Sequence, residues 1–155
     1  MLVGAIAERP QGPFLARPGG VVNEARVVVT GIGIVSPIGL TAPSTWQALL
    51  DGRSGVGRIS AFETSGLETQ IAAQAKGFDP TNYLARKDAR RTDRLAQFGI
   101  IASQEAVRHS ELRITSANAN RVAVVIGSGV GGILTLSELF GVLQEKGPTR
   151  ISPFL

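Results

Sequence analysis

The chain has 155 residues, 43% of them hydrophobic and 18% charged, with a formal net charge of +4 and a sequence pI near 10.3. That is a globular composition with a mild, diffuse basic bias, compatible with an acidic partner and too diffuse to mark nucleic-acid binding. The absence of cysteine and a lone histidine, His109, exclude from this chain disulfides, thiolate metal sites, a cysteine nucleophile and a histidine metal cluster.

In chain order, residues 1–24 carry Pro10, Pro13, Pro18 and the Gly19-Gly20 pair and no sustained period, so they are expected to lack structure. The apolar patch Leu2–Ala7 is too short for a signal peptide and lacks a basic flank. No apolar run reaches the roughly 18 residues of a spanning helix, which favours a cytoplasmic protein with no membrane partner. Order is expected to begin near Arg26. Val27–Thr30 reads as a buried strand and Gly31-Ile-Gly33 as the turn leaving it.

Thr41 is the expected N-cap of a helix over about 42–51, with Gly52 as its stop. Trp46, Leu49 and Leu50 share one face of that helix, predicted to be buried. Residues 53–68 read as loop, 69–75 as a weakly alternating strand, and Asp79-Pro80 as the opening of a short helix. A long helix is expected over roughly 87–109, carrying Leu95, Phe98, Ile101 and Ala102 at helical spacing, with His109 near its exposed end. Residues 110–120 are a polar connection with a turn near Thr115–Asn118. Arg121–Ile126 reads as a second buried strand, expected inside a sheet beside Val27–Thr30. Ile133, Leu136, Leu139, Phe140 and Leu143 mark a last amphipathic helix ending near Gly147-Pro148. Buried-type strands alternating with helices indicate an α/β protein with a mostly parallel sheet and packed helices.

Between that second strand and the last helix lies Gly127-Ser-Gly129-Val-Gly131-Gly132. Gly127, Gly129 and Gly132 fit the G-x-G-x-x-G spacing of a dinucleotide loop, in which glycines let backbone approach a pyrophosphate at a helix N-terminus. No second strand ending in an acidic residue follows, so the spacing alone is weak, and a tight strand-to-helix turn with close packing explains it better.

Five stretches in order carry a resemblance. They are Arg26-Val-Val-Val-Thr-Gly-Ile-Gly-Ile-Val-Ser-Pro-Ile-Gly39, Thr45–Leu50 with Gly52–Gly55, Arg86-Lys87 with Arg90-Arg91-Thr-Asp93, Ile126–Gly132, and Gly147–Phe154. Together they resemble the β-ketoacyl-acyl-carrier-protein synthases, specifically the type II elongating enzymes of fatty-acid biosynthesis, over about residues 25–155. The resemblance implies the N-terminal half of a thiolase-like fold, usually homodimeric. It also implies an acyltransferase reaction: an acyl chain moves from carrier protein to a Cys, malonyl-carrier protein loses CO2, and the carbanion attacks the thioester. The catalytic Cys, His and Lys residues are expected beyond Leu155, so no catalytic residue is assigned on this chain. His109 matches none of them, and the chain alone is expected to be inactive and poorly soluble.

The resemblance further implies that Val130 faces the acyl pocket and that Phe154 and Leu155 lie near its far end at the dimer contact. An aromatic residue is common where Leu155 stands. It also assigns Lys87, Arg90, Arg91 and Arg150 to docking of an acidic acyl carrier protein. Lys87, Arg90, Arg91 and Arg94 fall at i, i+3, i+4 and i+7, one face of a helix, where clustered like charge costs a few tenths of a kcal/mol per pair unless a partner offsets it. Ordinary packing of Val130, and a solvated helix face tempered by Asp88 and Asp93, are the plain alternatives. No dissociable cofactor, metal or nucleic acid is implied; the phosphopantetheine arm arrives on the carrier. The rivals are a polyketide ketosynthase or its chain-length-factor partner, a nucleotide-binding domain, and a standalone carrier-binding module.

Overall fold

A computed structural model describes the backbone of residues 2–8 and the full residues 27–151. Strand β1 (Leu2–Glu8) pairs antiparallel with β2 (Val27–Ile34), from Leu2 opposite Ile34 to Glu8 opposite Val27, with a register shift between Ala5 and Ile6. The expectation that residues 1–24 lack structure therefore fails for Leu2–Glu8. The period of the sequence hides this strand because Gly4, Ala5 and Ala7 give it little β character.

Helix α1 (Ala42–Leu50) begins where Thr41 predicts it. Thr41 and Ser44 close a reciprocal capping box, and Gly52, at φ 66°, follows the last turn. Short strands β3 (Val56–Arg58) and β4 (Ile71–Ala73) pair antiparallel. A 3-10 turn, Pro80–Asn82, is capped by Asp79, which accepts from Thr81 N–H at 2.8 Å. Helices α2 (Arg86–Ala89), α3 (Arg94–His109) and α4 (Ile133–Lys146) complete the order.

The core sits where α3 crosses β2. Val35, Phe78, Ile101 and Ala102 are buried together, with Leu40, Ala75 and Phe98 packed around them, and Phe78 meets Phe98 edge-on at 4.7 Å. Gly31 and Gly33 are not a turn. They lie within β2 and let α3 rest on the strand backbone: a Cβ at Gly31 would fall 2.7 Å from Ser110 N, and one at Gly33 2.8 Å from Ala106 N. Two α3 side chains also take β2 amides. Ile32 N–H donates to His109 Nδ1 at 3.0 Å, and Ile34 N–H to Glu105 Oε2 at 2.8 Å, while Glu105 Oε1 accepts from Ala42 N–H at the start of α1. His109 is exposed at the helix end, as expected, and docks that end onto the strand.

Four further expectations need correction. Val27–Thr30 is exposed rather than buried. The single helix over 87–109 is split: Asp93 turns extended to cap α3, and Gln97 Nε2 donates to Ala89 O and Thr92 O at 2.9 Å each, closing the end of α2. Helix α1 buries Thr45 and Ala48 and leaves Trp46, 62% accessible, on the outside, because Thr45 hydrogen-bonds Ser36 and Gly39 in the loop after β2.

The fourth concerns the sheet. Among the described residues both ladders are antiparallel, so no mostly parallel sheet forms, and residues 122–128 are not a strand. Val124 and Val125 are 78% and 93% accessible rather than beside Val27–Thr30. A buried strand of this composition needs neighbours on both sides and apolar cover on both faces. Here β2 is already paired to β1, and amides near its end are held by α3.

Candidate functional site

Three of the four residues assigned to carrier docking lie at the break between α2 and α3. Lys87 lies in α2, and Arg90 and Arg91 in the turn after it; all three are exposed. Arg150 ends a 3-10 turn, Pro148–Arg150, beyond α4 and is also exposed. Because the helix is broken at residues 90–93, Lys87, Arg90, Arg91 and Arg94 do not form one continuous stripe. Arg94 instead packs on the core. Its guanidinium stands over Phe98 and Phe78, 4.9 and 5.2 Å from the ring centroids, and donates to Ala75 O at 3.1 Å.

Arg90–Arg94 face the first turns of α4 across an open cleft of about 470 Å³, whose far wall is Leu134, Thr135, Glu138 and Leu139. Arg90, Arg91 and Arg94 line the cleft together with the acidic Asp93 and Glu138. Asp93 spans it. Its Oδ1 accepts from Leu95 N–H at 2.8 Å, and its Oδ2 from Thr135 Oγ1–H at 2.7 Å and Thr135 N–H at 3.2 Å. Partial burial pushes the Asp93 carboxyl up, but the hydrogen bonds from Thr135 and Leu95 outweigh it and hold the group below the ordinary aspartate value.

The glycine loop leads into α4 and approaches another segment at Gly132, which lies against Asp93. Gly127 and Gly129 have open space where a Cβ would stand, Gly131 takes φ 86°, and Ser128 Oγ accepts from Gly131 N–H at 3.0 Å. Val130 is 73% accessible, so within the described residues it borders no enclosed pocket. Phe154 and Leu155 lie outside the described residues. The N-terminal turn of α4, where a dinucleotide phosphate would sit, is occupied by the Asp93 carboxylate. That disfavours the nucleotide reading, since a phosphate there would meet a like charge. Among the described residues no group of three or more His, Asp or Glu could hold a metal, and no helix is long and apolar enough to cross a membrane.

Asp93, Thr135 and Glu105 do not stand out as site residues in the sequence. For Asp93 a signal exists: an Asp directly before the apolar period of Leu95, Phe98 and Ile101 is an N-cap pattern, masked by helical spacing that continues back to residue 87. Nothing local announces that Thr135 bonds a residue 42 positions earlier.

Comparison with known proteins fixes the lineage. A family model described as "Beta-ketoacyl synthase, N-terminal domain" matches residues 24–155. The chain belongs to the β-ketoacyl synthase family. Among β-ketoacyl synthases it is 46% identical over 133 residues to a Vibrio harveyi protein named 3-oxoacyl-[acyl-carrier-protein] synthase 2. Proteins of the same name from Synechocystis and Coxiella burnetii are 42% and 44% identical over 134 and 133 residues. Each alignment covers 86% of this chain and 32% of the relative, so the chain spans about a third of these synthases' length. A solved structure, the ishigamide ketosynthase/chain length factor, superposes with a TM-score of 0.64 over 81% of this chain and 31% of that one, at 23% identity. That likeness supports a thiolase-like α/β class for this β-ketoacyl synthase domain, although the described strands alone do not build its sheet.

Proposed function

We propose that the chain is the N-terminal portion of a 3-oxoacyl-acyl-carrier-protein synthase II, which extends fatty acids by decarboxylating condensation of acyl-carrier protein with malonyl-carrier protein. The observation that carries this reading is 42–46% identity to synthases of that name over 86% of the chain. In the condensation, acyl transfer to a thiolate frees one carrier. Loss of CO2 from the malonyl thioester leaves a carbanion whose attack forms the new C–C bond and expels the thiolate. This chain has no cysteine, so that nucleophile comes from elsewhere in the protein. The part assigned to these residues is recognition: Lys87, Arg90, Arg91 and Arg150 dock an acidic carrier protein, whose pantetheine arm brings the acyl group. Val130, Phe154 and Leu155 border the acyl pocket once the rest of a cytoplasmic homodimer surrounds them.

The exposure of Lys87, Arg90, Arg91 and Arg150 supports docking, because exposed charge steers association and makes it salt-sensitive. Titration of labelled acyl carrier protein with the 155-residue chain tests it. Binding should weaken about tenfold in Arg90→Glu/Arg91→Glu and on raising salt from about 50 to about 300 mM. Affinity indifferent to both changes would remove these residues from docking. Malonyl-carrier-dependent CO2 release by the whole gene product checks the reaction itself.

A further inference from the structure

Helix α4 starts at Gly132, which has no side chain with which to cap it. The first turn is capped from another helix. Leu95 is the second residue of α3 and Thr135 the third of α4, and Asp93 receives the N–H of both, one on each carboxylate oxygen. The Thr135 hydroxyl adds a third bond, at 2.7 Å. One carboxylate therefore occupies the positive ends of two helices, satisfying an orphan amide in each. Gly132 permits the approach, since a Cβ there would lie 3.1 Å from Asp93 Cγ and 3.2 Å from its Oδ2. The two bonded helices separate the basic groups assigned to docking: Arg90 and Arg91 lie three and two residues before Asp93, while Arg150 follows α4.

We propose that Asp93 is a positioning residue that, by capping α3 and α4 together, sets the spacing between Arg90/Arg91 and Arg150 so that one acidic carrier meets both. The proposal rests on the docking reading above and adds to it a residue that need not touch the carrier. Thr135 is the cleaner handle. Thr135→Val is isosteric, keeps Asp93 and the α3 cap, and removes only the hydroxyl bond; Thr135→Ser restores that bond.

The test measures backbone amide exchange and carrier-protein affinity on the whole gene product. In Thr135→Val, amides of the first α4 turn should exchange several-fold faster while Leu95 keeps its protection. Affinity for the carrier should fall about three- to tenfold, within the range for a residue that acts on binding without touching the partner. Thr135→Ser should return both to within about twofold, a rescue that loss of bulk packing would not show. Asp93→Ala, which removes both acceptor oxygens, should speed exchange at Leu95 and Thr135 together. Wild-type affinity in Thr135→Val, in a protein where Arg90→Glu/Arg91→Glu weakens binding, would overturn the positioning role and leave the docking reading intact. Unchanged binding in Arg90→Glu/Arg91→Glu would overturn both.

Discussion

Gly33 shows how a single hydrogen atom in place of a side chain decides the core. A methyl there would overlap the Ala102 carbonyl and lie 2.8 Å from Ala106 N, so α3 would have to leave the strand. Gly33→Ala should destabilise the chain by about 1–3 kcal/mol, read as a lower urea midpoint, whereas Gly129→Ala, with open space around it, should change the midpoint little. Asp93 sets a pH dependence. Its folded pKa is depressed, so its contribution is present near neutrality and lost as pH falls through the folded value. The depression comes from the hydrogen bonds of Thr135 and Leu95, which outweigh partial burial. The urea midpoint of the wild type should therefore drop more steeply than that of Asp93→Asn as pH falls through and below the ordinary aspartate range, and parallel profiles would contradict the assignment.

At the scale of elements, caps and stops are legible in the sequence, while faces are not. Thr41, Gly52, Asp79 and Gly147 bound their elements where local hydrogen bonding and backbone freedom require. The buried face of α1 defies its apolar pattern, because Trp46, Leu49 and Leu50 stay exposed while Thr45 is held by the loop after β2. The break between α2 and α3 is masked in the sequence because Lys87, Arg90, Arg91 and Arg94 keep helical spacing across the Asp93 cap. It is held by a side-chain bridge: Gln97→Leu would leave Ala89 O and Thr92 O without the amide and should cost about 1–3 kcal/mol, measured by the same denaturation. Of the assigned site residues, Lys87, Arg90 and Arg91 do come together in this segment, while Val130 lies on an exposed loop.

For the molecule as a whole, the balance of apolar surface is the dominant fact. Val124, Val125, Ile126 and Val130, with Ile133, Leu134 and Phe140 of α4, are all exposed. Exposed apolar surface of this extent drives association in water. Sedimentation should show concentration-dependent self-association of the 155-residue chain, reduced by Val124→Lys/Val125→Lys; a monomer unaffected by concentration would contradict it.

The sequence by itself determined the family and the ends of most helices. Five short motifs in order are specific, and a cap or a stop is a contest among groups within about four residues of one another. Tertiary structure alone decided that β2 pairs with Leu2–Glu8 rather than with Val122–Ile126, that α1 turns its apolar face outward, and that Asp93 reaches Thr135. Those outcomes depend on which distant segment reaches a backbone amide or an apolar face first, and no local pattern carries that information.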